Sequence, residues 1–132
     1  MSNSSFQAEA ESWARALYHN AVDQKDAAGF AAVFAEEGRL RFGNEPPIVG
    51  RQKIEEAITQ FFLAMVDLHH EFTAISCDKN RWFLEAIVTY TRHDRGIVTV
   101  PAMTVFEMAQ TNGQFVVQSC RIYVDLTPLF AP

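Results

Sequence analysis

The chain is poor in cysteine, in positive charge and in long apolar runs, and each scarcity removes a class of function. Its 132 residues hold two cysteines, Cys77 and Cys120, far apart and in no metal-ligand spacing. The start MSNSSFQAEAESW offers neither the basic nor the apolar stretch of a secretory signal. Two reduced thiols in a cytoplasmic protein are therefore expected rather than a disulfide. Lys and Arg number 11 against 16 Asp and Glu, for a net charge of −5. The cations are scattered; Arg39, Arg41, Arg51 and Lys53 are the densest group. Nucleic acids and anionic membranes demand concentrated cations, so neither is an expected partner. No apolar run approaches the length of a membrane span. There is no P-loop, dinucleotide fingerprint, nucleophile elbow or zinc spacing, and no repeat or linker.

What is present is enough apolar mass for one domain over residues 1–132, including eleven Phe, three Tyr and two Trp. Behind a Ser4–Gln7 capping box, Phe6, Ala10, Trp13 and Leu17 recur at helical spacing and predict a helix over about 5–24. Asp26 can cap a second helix carrying Phe30, Val33 and Phe34 and ended by Gly38. Leu40 and Phe42 alternate with Arg39 and Arg41, the pattern of a short strand with Leu40 and Phe42 inward. Ile54, Ile58, Phe61, Phe62 and Met65 mark a third helix over 51–65. From Leu68 the period drops to two, predicting strands at about 69–78, 81–93, 97–109 and 114–125. The breaks are Asp78-Lys79-Asn80, Asp94-Arg95-Gly96 and Thr111-Asn112-Gly113. Helices followed by an antiparallel meander make an α+β layout with helices on one sheet face.

The strand 81–93 has an apolar face of Trp82, Leu84, Ala86, Val88 and Tyr90, which alternation extends to Arg92 and Asp94. These two are either a solvated strand end or an Arg–carboxylate pair at the wall of a cavity. His93, on the other face, is the nearby group whose ordinary pKa is closest to neutrality. His69 and His70 are adjacent, so they face opposite sides and cannot share one metal; no metal site is expected. The last strand has two partly apolar faces. One carries Val116, Gln118, Cys120, Ile122 and Val124; the other carries Phe115, Val117, Ser119, Arg121, Tyr123 and Asp125. Helices on one side and a second subunit on the other would read this way, as would edge effects. A homodimer through the outer sheet face is the expectation.

The order helix, helix, short strand, Gly50-Arg51, helix, four strands resembles the SnoaL-like domain of the nuclear transport factor 2-like group, which includes polyketide cyclases, ketosteroid isomerases and limonene-epoxide hydrolases. The stretches that carry the resemblance are Phe34-Ala35-Glu36-Glu37, Pro47-Ile48-Val49-Gly50-Arg51, Tyr90-Thr91-Arg92-His93-Asp94, Val105-Phe106-Glu107 and Arg121-Ile122-Tyr123-Val124-Asp125. It implies a cone-shaped roll of cystatin-like type, three N-terminal helices packed on a curved, mainly antiparallel sheet. It also implies a pocket for a hydrophobic small molecule, lined by Trp13, Leu17, Phe34, Leu40, Phe42, Phe62, Met103 and Ile122.

The family's reactions carry over only in part. Arg92 and Asp94 match the Arg-x-Asp of the epoxide hydrolases. The second Asp falls on Ile122, and the water-holding Tyr and Asn fall on Leu40 and Phe42. The ketosteroid-isomerase carboxyls fall near Phe42 and Met103. What remains is cyclase- or isomerase-type chemistry on a carbonyl-bearing substrate, with neither metal nor organic cofactor. Asp94 would act as acid/base and Arg92 would set its ionisation, with Tyr90 or His93 assisting and Tyr123 and Asp125 as secondary candidates. The alternatives are a binding module with Arg92 as anion anchor, or a dimeric scaffold with a vestigial pocket.

Overall fold

The computed structural model describes residues 3–132, with side chains from Phe6 onward. The expected capping box involves Ser4, whose side chain lies outside the described ones. Helix α1 (Asn3–Asn20) is followed by a single 3-10 turn, Val22–Gln24, ended by Lys25 at φ 57°. The continuous helix expected to residue 24 therefore breaks four residues early. Gln7 stitches α1 to the sheet: its amide oxygen accepts from Cys77 N at 2.8 Å and its amide nitrogen donates to Ile75 O.

Asp26 does cap α2 (Ala27–Ala32), accepting from Gly29 N at 2.9 Å. The helix stops before Phe34, which the sequence reading had placed inside it. Phe34 instead opens strand β1 (Phe34–Phe42), pairing in parallel with Val117. Arg51, at the start of α3 (Arg51–Leu63), fixes this entry by donating from Nε and Nη2 to Phe34 O at 3.1 and 2.9 Å. Gly38 sits in the irregular part of β1, where a Cβ would meet Ala35 O at 3.0 Å and the Phe34 ring at 3.1 Å. It permits a close approach and does not end a helix.

The rest of the sheet is β2 (Ile48–Val49), β3 (Asp67–Asp78), β4 (Arg81–Thr91), β5 (Ile97–Thr111) and β6 (Gln114–Val124), in the spatial order β2-β1-β6-β5-β4-β3. Every pairing is antiparallel except β1 with β6. The hairpin turns fall at the three expected breaks; Asn112 and Gly113 both take positive φ, as a two-residue connection demands. A fourth short helix, α4 (Thr127–Phe130), buries Leu129. No described helix is long and apolar enough to cross a membrane.

Two β-bulges settle which residues face inward. Ser119 pairs with Glu107 and Val117 with Met108, so Gln118 is an extra residue on β6. The inner set therefore changes parity, from Ile122 and Cys120 to Val117 and Phe115. This explains the two half-apolar faces of the sequence: Val117 is fully buried, and Phe115 packs edge-on against Trp82 at 4.8 Å. Neither residue belongs to the outer face, where the sequence reading had used them to argue for a dimer. A second bulge at Thr73 does the same for β3, so that Leu68, His70, Phe72, Ile75 and Cys77 all face inward.

The cone is filled at one end. Trp13 makes edge contacts with Trp82 at 5.5 Å and Phe106 at 5.9 Å, close to the buried Phe34 and Leu40. Each fully buried large side chain here contributes about 1.5–3 kcal/mol by leaving water. Both cysteines are free thiols; Cys120 is buried, whereas Cys77 is partly exposed.

Candidate functional site

The other end of the cone is hollow. Residues from every helix except α4 and from five strands surround a narrow cavity of about 40 Å³. That is well below the few hundred Å³ of typical small-molecule sites, so a bound molecule would have to move the walls or use the mouth. The walls are Val22, Phe30, Phe42, Ile58, Phe61, Phe62, Leu68, Val88, Ala102, Ile122 and Val124, with Tyr18, His70, Tyr90 and Thr104 as the polar members. Phe42 and Phe61 face each other at 4.9 Å, and Phe61 meets Tyr90 edge-on at 6.2 Å.

Of the residues read from the sequence, Phe42, Phe62, Ile122 and Tyr90 line this cavity. Trp13, Leu17, Phe34 and Leu40 do not, because they pack in the filled end of the cone. Met103 does not, because its register opposite Glu85 and Tyr123 puts it on the outer face; Thr104 is the neighbour that points in. The structure joins Arg92 and Asp94, but outside the cavity. Strand β4 stops at Thr91, and Arg92 N donates to Gly96 O across a tight turn, so alternation no longer applies. Arg92 Nη2 meets Asp94 Oδ2 at 3.0 Å and Nε meets Oδ1 at 3.2 Å, with the Asp94 side chain 60% exposed. The Gly96 N–H and the Arg92 guanidinium hold the Asp94 carboxyl below its ordinary pKa. Arg92 Nη1 also donates to Pro128 O at 3.3 Å, and the His93 ring bonds Leu63 O at 2.8 Å. These three side chains thus tie the hairpin to α4 and to the end of α3. Tyr123 is half exposed on the outer face, and Asp125 accepts from Thr127 N at 3.0 Å just ahead of α4.

The polar centre of the cavity lies elsewhere. His70 Nδ1 and Asp23 Oδ1 are 2.7 Å apart, and His70 N donates to Asp23 Oδ2 at 3.0 Å. Both side chains are nearly buried, at 13% and 12% exposure. His69, on the outer face, reaches the same carboxylate at 3.6 Å. Among the described residues no group of three or more His, Cys, Asp or Glu is placed to hold a metal ion. The Tyr18 ring lies 4.7 Å from the His70 ring, and Thr104 is within hydrogen-bonding reach of the Tyr18 hydroxyl. Burial pushes the Tyr90 phenol up to about 12, with the Asp23 carboxylate adding to the effect. Burial raises Tyr18 further still, Asp23 again contributing. Both phenols are therefore fixed as neutral donors at ordinary pH.

Sequence reasoning passed over Asp23, His70, Tyr18 and Thr104. One signal for His70 was available: it alternates with Leu68 and Phe72 on the apolar side of its strand. With an Asp-held imidazole and neutral phenols in an apolar wall, the arrangement can move a proton and donate hydrogen bonds to an oxygen that gains charge.

Solved structures similar to the chain share its architecture. ActVI-ORFA from Streptomyces coelicolor superposes with a TM-score of 0.77 at 20% identity, covering 89% of this chain and 96% of that one. A scytalone dehydratase-like protein from Novosphingobium aromaticivorans gives 0.79 at 12% identity, over 93% and 87%. A ketosteroid isomerase-like protein from Erwinia carotovora atroseptica gives 0.70 at 17%, over 96% and 97%. At these identities the likeness establishes the fold. A search of curated proteins by sequence finds no match. The sequence profile of the SnoaL-like domain matches residues 14–118, and the chain belongs to that family.

Proposed function

We propose that the protein is a cofactor-free acid–base enzyme acting on a hydrophobic, carbonyl-bearing small molecule, as cyclases and isomerases do. The observation that carries this reading is the 2.7 Å His70–Asp23 pair, in which His70 stands in the wall of the apolar cavity and Asp23 backs it from the groove beside α1 and β3. Asp23 fixes the imidazole by its Nδ1, which leaves Nε2 as the acid/base atom. A proton removed from the carbon next to a carbonyl leaves an enolate. Tyr18, Tyr90 and Thr104 are the neutral hydroxyls available to its oxygen. Phe42, Phe61 and Phe62 exclude water from the reacting carbon. This replaces Asp94 with His70 as the acid/base and keeps Tyr90 as the assisting group.

The test is deuterium exchange at the carbon next to the carbonyl of 2-tetralone in D2O, followed by proton NMR. Wild-type protein is expected to accelerate exchange over buffer, and His70→Gln to abolish the acceleration while fluorescence titration still detects binding. Binding without acceleration in either protein would favour the second reading, a binding module in a cytoplasmic setting. That reading draws on the largely apolar lining, to which Phe42 and Ile122 belong.

A further inference from the structure

One carboxylate serves both faces of the sheet edge. Strand β3 is an edge strand, and the His70 N–H on its open side donates to Asp23 Oδ2 at 3.0 Å. Neighbouring residues of a strand project to opposite faces, so a carboxylate seated on the edge can reach both. Its Oδ1 holds the His70 ring at 2.7 Å on the cavity side, and its Oδ2 stands 3.6 Å from the His69 ring on the other. The two imidazoles differ in their access to water: the His69 side chain is 72% exposed and the His70 side chain 13%. Asp23, His69 and His70 also line a groove between α1 and β3, together with Arg15, Tyr18 and His19.

We propose that His69 is a positioning residue for the cavity: by sharing Asp23 with His70, it lets its own charge set how readily His70 takes a proton. A protonated His69 pairs with Asp23 and places a second positive charge near the His70 ring. Asp23 carries one negative charge and cannot compensate two cations, so the second proton binds less readily than the first. The effect is reciprocal, because it is one interaction energy between two sites. The other charged or titratable groups facing His69 are Arg15 and His19 from α1, and Asp67 and Glu71, which flank it on the outer face of its own strand. Its neighbour on β4 is the uncharged Thr89. These groups are present whether or not His69 is, so they do not enter the difference made by removing it. On the cavity side His70 faces Tyr18 and Tyr90, both kept neutral by burial. The use of this coupling in catalysis rests on the proposed role of His70 as acid/base. As a base, His70 must be unprotonated when substrate binds, and a protonated His69 keeps it so at lower pH.

The experiment follows the ring protons of both histidines by NMR as pH is varied, in the wild type, His69→Gln, His70→Gln and His19→Gln. Removing His69 is expected to move the His70 titration up by about half a pH unit, and removing His70 to move the His69 titration up by the same amount. His19 lines the same groove but makes no ion pair with Asp23, so His19→Gln is expected to leave both titrations in place. The acid limb of 2-tetralone exchange is expected to move up in His69→Gln by as much as the His70 titration does. Far-UV circular dichroism checks folding; if His70→Gln is unfolded, His69→Gln and His69→Asn make the comparison from one side. An unchanged His70 titration in folded His69→Gln overturns the proposal. So does an equal shift from His19→Gln, or an acid limb that stays in place when the titration moves. Coupled titrations in a wild type that does not accelerate 2-tetralone exchange overturn the acid–base reading instead, and leave the coupling between the two histidines standing.

Discussion

Asp23 and His70, 47 residues apart, are joined twice: the carboxylate takes the imidazole Nδ1 on one oxygen and the backbone N–H of the same residue on the other. One side chain thus sets both the ring and the strand that carries it. Asp23→Asn keeps the shape but replaces one acceptor oxygen with a donor. Losing one buried partner is expected to cost about 1–3 kcal/mol in urea unfolding. If His70 is the acid/base, turnover is expected to fall by about 10²–10⁴ with little change in binding. A variant with wild-type stability and wild-type 2-tetralone exchange would show that the pair is incidental.

Tyr90 predicts an alkaline weakness. Its phenol ionises near the ordinary 10.0 in the unfolded chain but near 12 when folded. The unfolded chain therefore releases a proton first as pH rises, and stability falls between about pH 10 and 12. A shift of two pKa units corresponds to roughly 3 kcal/mol, fully present below pH 10 and lost by pH 12. Tyr90→Phe is expected to flatten this part of the pH–stability curve, read from urea midpoints at successive pH values. Parallel curves for variant and wild type would rule Tyr90 out as the source.

Arg92 and Asp94 predict the reverse of a buried pair. The carboxylate is well solvated, so the ion pair is screened despite its two-point geometry. Asp94→Asn is expected to leave both 2-tetralone exchange and the urea midpoint nearly unchanged. Arg92→Ala also frees Pro128 O and is expected to loosen α4, seen as faster amide exchange over 127–130. Loss of 2-tetralone exchange in Asp94→Asn would return the acid/base role to the hairpin.

Local chemistry made much of this fold legible. Asp26 caps where a cap was expected, and the hairpins turn at the expected breaks. The family and the layout were legible from the order of the elements. What escaped depended on partners distant in sequence. Phe34 reads as helical until Val117 and Arg51 hold it in a strand. Asp23 sits in a short turn whose significance appears only when β3 comes alongside. Alternation misplaced Arg92 and Asp94 because it was carried past the end of its strand. It also misjudged β6, because a single extra residue exchanges the two faces.

That extra residue gives the most demanding test of the fold. Gln118 is exposed, and its side chain makes no described hydrogen bond, so Gln118→Ala is expected to stay within about 0.5 kcal/mol of wild type. Deleting it is a different operation. Pairing is anchored on one side by Ser119 with Glu107 and on the other by Val117 with Met108. Without the bulge, one half of β6 must slip by a residue, and a one-residue slip sends every side chain to the opposite face. If the Ser119–Val124 half holds its register, Val117 leaves the core and Phe115 leaves its edge contact with Trp82. If the other half holds, Cys120 and Ile122 turn outward and the cavity loses part of its wall. Exposing two such side chains costs at least about 3 kcal/mol, before any loss of ladder hydrogen bonds. The deletion is therefore expected to lower the urea midpoint sharply where the alanine substitution does not. Equal midpoints for the two variants would mean that the bulge is not what turns Phe115 and Val117 inward.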